Sequence, residues 1–403
     1  MNRALYSGLS GAVAQQSKMD VTANNLANVG TVAFKAARTT FQDAYYQTLR
    51  SGSSAQDNVG GVSPTQVGTG VSVGATTIVD AQGAVQNTGQ ALDAAIDGDG
   101  LFTVVGPEGV FYTRDGSFKL DETSTLVMAS NGYRVQGWMA TDGQVNTGGP
   151  LTGLVFPLNT VRPPKATDEV SLCGNLTAGG TNTQSSSVTV YDSLGKTHDL
   201  SLTFAPGAGS SWNVTAKFDG GASTALGTVS FDTLGQYSAG GPTVTLAATP
   251  TGAAPMSMAI DVSKLTQFAS GVAVSATDQN GYGAASLKEV NVNDGGIVQG
   301  SYADGRSMTL GQLAVATFAN VSGLAHSGSN LFQSSPSSGL AQIGAASEGG
   351  RGAVVGRSLE QSSADLTSSF LDMLITQRAY QASTRVISTA SSLIQDAIQL
   401  ADR

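Results

Sequence analysis

The chain has 403 residues, 51 of them glycine; 12% are charged, and the formal net charge is −9. That length leaves room for two or three domains of ~100–200 residues, and the acidic balance excludes nucleic-acid binding through a basic surface. A single cysteine, Cys173, excludes an intramolecular disulfide and a multi-cysteine zinc site, and two histidines, His198 and His326, leave little material for histidine chemistry.

Residues 1–28 predict a helix. Leu5, Leu9, Ala12, Gln16, Met19, Ala23 and Leu26 recur at spacings of three and four, a narrow heptad seam. Gly8 and Gly11 weaken it by about 1 kcal/mol each relative to alanine, so the helix is marginal alone and needs a partner. A secretory signal is the competing reading, with Ala12-Val13-Ala14 as a small-residue cleavage site. Ser7, Gly8, Ser10 and Gly11 interrupt its apolar region, and the seam runs through the cleavage point, so the helix is preferred. Residues 29–70 form a long connection anchored by Phe34, Phe41, Tyr45 and Tyr46. Ser51-Gly52-Ser53-Ser54 and Gly60-Gly61 predict a flexible loop there.

Residues 71–145 alternate in short segments with turn signals. Strand 101–105 and its partner 109–113 form a hairpin across Gly106-Pro107-Glu108, and Asp115-Gly116 and Asn131-Gly132 mark further turns. Pro150, Pro157, Pro163 and Pro164 mark a boundary. Residues 146–277 continue the pattern, with 187–191 and 200–204 as alternating strands, and 278–357 return to the style of 71–145. Residues 358–403 contain neither glycine nor proline and predict one helix of about 40 residues, roughly 60 Å long. Its seam is Leu366, Phe370, Met373, Gln377, Tyr380, Thr384, Ile387, Ser391, Ile394 and Ile398. A second stripe, Val386, Ala390, Leu393, Ala397 and Leu400, widens the apolar face.

The fold class expected is mainly β with α-helical termini: nested β domains inserted between N- and C-terminal helices that pair as a coiled coil. The expected domains are a terminal helical domain with its linker (1–70 and 358–403), an inner β domain (71–145 and 278–357) and an outer β domain (146–277). One face of the last helix meets the first helix. The other needs a further partner, and a neighbouring copy making contacts that do not close gives a helical filament.

No chemistry-bearing motif outweighs its ordinary explanation. Asp97-Gly98-Asp99-Gly100 begins like a calcium loop, but Leu101 stands where the third oxygen ligand belongs, so a turn is expected and no metal. Ser193, His198 and Asp199 can be written as a catalytic assembly, yet they fall in or beside a turn, where such residues are common. No catalytic residue and no cofactor is expected. No run approaches the ~20 apolar residues of a membrane span. Cys173 reads as a small buried residue; the sharper alternative is a covalent link between Cys173 of one subunit and a lysine such as Lys165 of another.

The motifs resemble the bacterial flagellar rod and hook proteins. Ala23-Asn24-Asn25-Leu26-Ala27-Asn28-Val29 with Ala33-Phe34-Lys35 resembles the N-terminal signature of that family, and residues 373–381, Met-Leu-Ile-Thr-Gln-Arg-Ala-Tyr-Gln, the C-terminal one. Residues 92–102 and 111–118 resemble the first strands of the family's β domain. Residues 188–195 and 278–282, with the chain's length, resemble hook-type members; residues 45–70 instead resemble the longer connection of the distal rod, where it is linked to a stiff, straight tube.

The resemblance implies a non-enzymatic structural subunit that self-assembles into a helical tube. It implies export without a cleaved signal through the flagellar type III apparatus and assembly beneath a hook cap. The rod would lie below and hook–filament junction proteins above, with neither nucleic acid nor membrane insertion involved. A hook acts as a universal joint transmitting torque; the alternative is a distal rod, or drive-shaft, subunit. From another class, a secreted β-rich enzyme or adhesin would be a stable monomer trimmed after Ala14. The assembly residues expected are Leu5, Leu9, Met19 and Leu26, with Leu366, Phe370, Met373, Tyr380, Ile387 and Ile394 opposite.

Overall fold

The computed structural model describes residues 2–54, 60–158, 160–239, 243–271 and 273–401. The architecture is mainly β, with an α-helix at each end of the chain: α1, Asn2–Ala27, and α2, Leu366–Ala401. The residues divide into two compact units. The first is Met1–Phe156, Val290–Gly300 and Met308–Arg403; the second is Pro157–Glu289 with Ser301–Ser307.

In the first unit α1 and α2 pack together and run antiparallel: Lys18 Nζ lies 3.4 Å from Asp372 Oδ1, while Gly8, earlier in α1, faces Ile387, later in α2. α2 starts later than its composition predicts. Ser358–Glu360 is a strand paired with Val85–Asn87, and the helix waits for a cap at Asp365. That carboxylate accepts the backbone N–H groups of Thr367 (3.1 Å) and Ser368 (3.0 Å). The Ser368 hydroxyl, first, and these two backbone bonds hold its pKa below the usual carboxylate value. Absence of glycine and proline permits a helix but does not start one.

The connection after α1 carries more order than its loop-like composition predicts. Ala37–Asp43 pairs antiparallel with Val71–Ile78, and Tyr46–Arg50 pairs with Thr65–Gly68. A bridge joins Ser53 to Val62; residues 55–59 lie outside the described chain. Every residue of Tyr46–Arg50 and Thr65–Gly68 is exposed. The hairpin expected across residues 106–108 forms, with Leu101–Gly106 against Gly109–Thr113. Leu101, Phe102, Thr103 and Val104 are buried without alternation, as in a strand covered on both faces. Phe102 meets Phe118 edge-on at 5.2 Å, inside a core with Ile96, Leu126, Met128, Leu154 and Phe156.

The second unit packs two sheets over one core. An antiparallel meander orders Gln184–Tyr191, Thr197–Pro206, Ser211–Phe218, Ser223–Phe231 and Tyr237–Ala239. The other sheet orders Thr243–Ala248, Met256–Thr266, Glu169–Asn175 and Ala273–Gln279, with Glu169–Asn175 parallel to Met256–Thr266. Strand alternation sets the core: His198, Leu200, Leu202 and Phe204 face inward from one strand, toward a cluster holding Trp212, Val170, Met258 and Ile260. Distant stretches of this unit are tied by Arg162. Its guanidinium lies 3.7 Å from the Tyr282 ring centroid and 4.4 Å from that of Tyr302, and bonds Asp304 at 3.1 Å.

Candidate assembly site

The two terminal helices carry the expected assembly residues, and burial shows which of them face the partner helix. In α1 the seam runs Leu5, Gly8, Ala12, Gln15, Met19, Thr22, Leu26: Gly8, Ala12 and Thr22 are buried and the others half-buried. In α2 it runs Ser369, Met373, Thr376, Ser383, Ile387, Ala390, Ile394, Ala397, with Thr376 and Ala390 buried. Alternate positions therefore fall one residue earlier than bulk suggests: Gly8 in place of Leu9, Ser369 in place of Phe370. Small residues win because the helices approach closely. A Cβ on Gly8 would stand 2.9 Å from Ile387 Cγ1 and 3.3 Å from the Ser383 carbonyl oxygen.

The structure thus brings together Leu5, Met19, Leu26, Met373, Ile387 and Ile394, all half-buried. It leaves four expected residues on the open side: Leu9 at 53% exposure, Leu366 at 57%, Phe370 at 53% and Tyr380 at 37%. Tyr6, Val13, Leu371, Ile375 and Leu393 are exposed as well. A single chain covers one stripe of α2 and, on α1, both the seam and a second stripe where Ser10 Oγ accepts the Val71 N–H and Asn25 bonds Ala37; the rest of each helix is open.

Below the helices, Asn25 and Glu360 fasten the termini to the β structure. The Asn25 amide donates to the Ala37 carbonyl at 2.7 Å and accepts the Ala37 N–H at 2.9 Å, so one side chain completes a strand end. Glu360 is 1% exposed. Its Oε1 accepts Lys35 Nζ and the Gly83 N–H, both at 2.9 Å, and Arg114 Nε lies 3.2 Å from its Oε2. Lys35 also donates to the Ala81 carbonyl at 2.8 Å, and Arg114 to the Gly98 carbonyl at 2.7 Å. Three stretches far apart in sequence meet on one buried carboxylate. Lys35 and Arg114 stand inside recognisable motifs, a signal that could have been read; Glu360 lay in what composition presented as helix.

The residues written as a catalytic assembly have other partners. Ser193 Oγ accepts the Ala254 N–H at 3.0 Å, and Asp199 bonds Ser187. Both ring nitrogens of His198 meet carboxylates, Nδ1 with Asp219 Oδ2 at 2.6 Å and Nε2 with Asp192 Oδ2 at 3.1 Å. The Asp97–Gly100 stretch is a turn, with Gly98 at φ 99° and Asp97 Oδ1 accepting from Gln82 at 3.1 Å. Cys173 is half-buried in a strand flanked by two others. Lys165 is 46% exposed, its Nζ 3.8 Å from Asp168. Among the described residues no helix is long and apolar enough to cross a membrane.

Four family models match: flagellar basal body rod protein at residues 5–35, flagellar hook protein FlgE/F/G D1 domain at 95–172, flagellar basal body protein FlaE D2 domain at 166–282, and flagellar basal body rod FlgEFG protein C-terminal at 355–400. The flagellar hook protein FlgE of Treponema pallidum is 33% identical, over 99% of this chain and 100% of the relative. The chain belongs to the flagellar hook and rod protein family. The Escherichia coli flagellar hook protein FlgE is 32% identical over 98% of this chain and 100% of the relative. The flagellar basal-body rod protein FlgG of Bacillus subtilis is 28% identical over 99% of each. In fold, the chain is similar to the Helicobacter pylori flagellar hook protein FlgE2, with a TM-score of 0.51 at 13% identity. That likeness covers 68% of this chain and 99% of the other. The family's terminal models fall on α1 and α2, the helices that leave apolar side chains uncovered.

Proposed function

We propose that the chain is a structural, non-enzymatic subunit of the bacterial flagellar hook, a helical tube that transmits torque from motor to filament as a universal joint. The observation carrying this reading is end-to-end similarity to relatives named as hook proteins at 31–33% identity, against 28% for the FlgG rod protein. The helix pair supports polymerisation. Its seam is satisfied within the chain, while Leu9, Leu366, Phe370 and Tyr380 stand open to a neighbouring copy. A helix that is weak alone also suits a chain exported unfolded and folded on assembly. On this reading the chain leaves by the flagellar type III apparatus without a cleaved signal and assembles under a hook cap, between the rod and the hook–filament junction proteins. The reading divides the work among a terminal helical part (1–70 and 358–403), an inner β part (71–145 and 278–357) and an outer β part (146–277).

The distal rod is the second reading, favoured by the exposed ladder of Tyr46–Arg50 with Thr65–Gly68 in the connection that resembles the rod's. Electron microscopy of basal bodies from a strain lacking the gene separates the two. Complete rods with no hook are the expected outcome; truncated rods would assign the chain to the rod, and normal flagella would overturn both. A link between Cys173 and Lys165 of neighbouring subunits predicts a ladder of multimers in boiled, reduced samples, lost on Cys173→Ala.

A further inference from the structure

The second unit contains the same turn twice. Asp192-Ser193-Leu194-Gly195-Lys196 and Asp232-Thr233-Leu234-Gly235-Gln236 each close an antiparallel hairpin. In the first, Asp192 Oδ1 accepts the N–H groups of Leu194 and Lys196, both at 2.9 Å. In the second, Asp232 Oδ1 accepts those of Leu234 and Gln236, both at 2.8 Å. The glycines match at φ 83° and 74°, a conformation in which a side chain is strained. Both turns hold a leucine into solvent, Leu194 at 67% exposure and Leu234 at 72%.

They differ six residues after the aspartate. The second turn has Ser238 there, its hydroxyl on the Ser230 carbonyl. The first has His198, 4% exposed, with a carboxylate on each ring nitrogen. An ionised carboxylate only accepts hydrogen bonds, and a neutral imidazole has one N–H to give. Both contacts are hydrogen bonds only when the ring is doubly protonated. Asp192 therefore serves two masters: Oδ1 caps the turn and Oδ2 holds His198, whose other nitrogen reaches Asp219, just past the strand Ser211–Phe218. The Phe218 ring stacks on the imidazole at 4.9 Å.

We propose that His198 is a proton-operated fastener: as imidazolium it ties the leucine-bearing turn 192–196 to the end of the neighbouring hairpin, and proton loss releases that turn alone.

The charged surroundings favour the fastened form. Asp192 and Lys196 come from the turn and Asp219 from the end of the adjacent hairpin; Lys196 bears chiefly on Asp219. On the strand of His198, Asp199 is engaged by Ser187. Across the pairing on the other side stands Val190, without charge. Lys217 precedes Phe218 with its side chain exposed. Burial pushes the His198 pKa down, but the hydrogen bonds and charges of Asp219 and Asp192 outweigh it and hold it above 6.5. Burial raises the Asp192 pKa, but the His198 hydrogen bond and the two turn N–H groups hold it below 3.8; the His198 bond likewise lowers that of Asp219. The raised histidine pKa gives stabilisation fully present below 6.5 and lost as pH climbs through the folded value. The lowered aspartate values give stabilisation present above 3.8 and lost as pH falls through theirs. Fastening therefore holds between the lowered aspartate values and the raised histidine value, and fails as pH climbs through the latter.

The test uses the unassembled full-length chain with isotope-labelled histidine. The two imidazoles are assigned by His326→Gln and titrated by NMR, and amide exchange of residues 193–198 and 233–238 is followed from pH 6 to 9 after correction for intrinsic rates. We expect His198 to titrate above 6.5, with protection of 193–198 falling at least tenfold across its midpoint while 233–238 is unchanged. Asp219→Asn, at a half-exposed site that leaves the core intact, should lower the midpoint, and His198→Gln should abolish the pH-dependent difference between the turns. A midpoint at or below 6.5, or equal loss of protection in both turns, would overturn the proposal.

Discussion

Glu360 shows how one residue can hold distant stretches of chain together. Two cations and one anion are buried together, a costly arrangement unless the geometry satisfies them, and here backbone carbonyls take the spare protons of Lys35 and Arg114. Glu360→Ala should destabilise the first unit by about 3–5 kcal/mol, because it strands two buried cations; urea unfolding measures this. A loss under 1 kcal/mol would show that water reaches the site. Gly8 is the second sensitive position. Gly8→Val should push α1 away from Ile387 and cost a few kcal/mol by overpacking, read as lost helical signal near 222 nm, whereas Gly30→Ala, with nothing within 4 Å, should not.

At the scale of elements, each terminal helix turns one face to its partner helix and, on the proposed reading, another to a neighbouring copy. The small-residue stripe of Gly8, Ala12, Thr376 and Ala390 makes the pair; the large exposed residues do not contribute to it. Leu9→Ser and Phe370→Ser should therefore change monomer stability by no more than about 0.5 kcal/mol yet block tube formation, checked by negative-stain microscopy. If both variants polymerise normally, the open face is not the intersubunit contact. Deleting residues 366–403 removes the whole of α2 and leaves α1 without its partner. Polymerisation should be abolished while the strands of both units keep their circular dichroism signal; truncated chains that still form tubes would refute the assembly role.

Over the whole molecule, the chain leaves the first unit after Phe156, returns to it at Val290, and visits the second once more over Ser301–Ser307. The second unit is thus an insertion, with its own two-sheet core. Such a unit should unfold as its own transition. Trp212, buried in the second unit, and Trp138, buried in the first, are the chain's two tryptophans. Fluorescence of Trp138→Phe and Trp212→Phe variants should resolve two denaturant midpoints, and Glu360→Ala should shift only the one reported by Trp212→Phe. A single shared midpoint that moves as one would show that the units fold cooperatively.

The sequence by itself determined what depends on local pattern. Strand-forming runs on either side of Gly106-Pro107-Glu108 marked the hairpin at 101–113, period-two alternation the strands around 188 and 200, and heptad spacing both terminal helices, because these follow from backbone sterics and side-chain direction. Family motifs pointed to assembly in the same way. Tertiary structure alone decided which of two adjacent residues enters a helical seam, since Gly8 or Leu9 satisfies the spacing equally and only the distance to Ile387 chooses between them. It also decided the pairings across sequence: Glu360 with Lys35 and Arg114, Asn25 with Ala37, and His198 with Asp219 in place of Ser193. Those contacts span up to 325 residues, and a buried charge or imidazole is tolerated only where the fold delivers its partners.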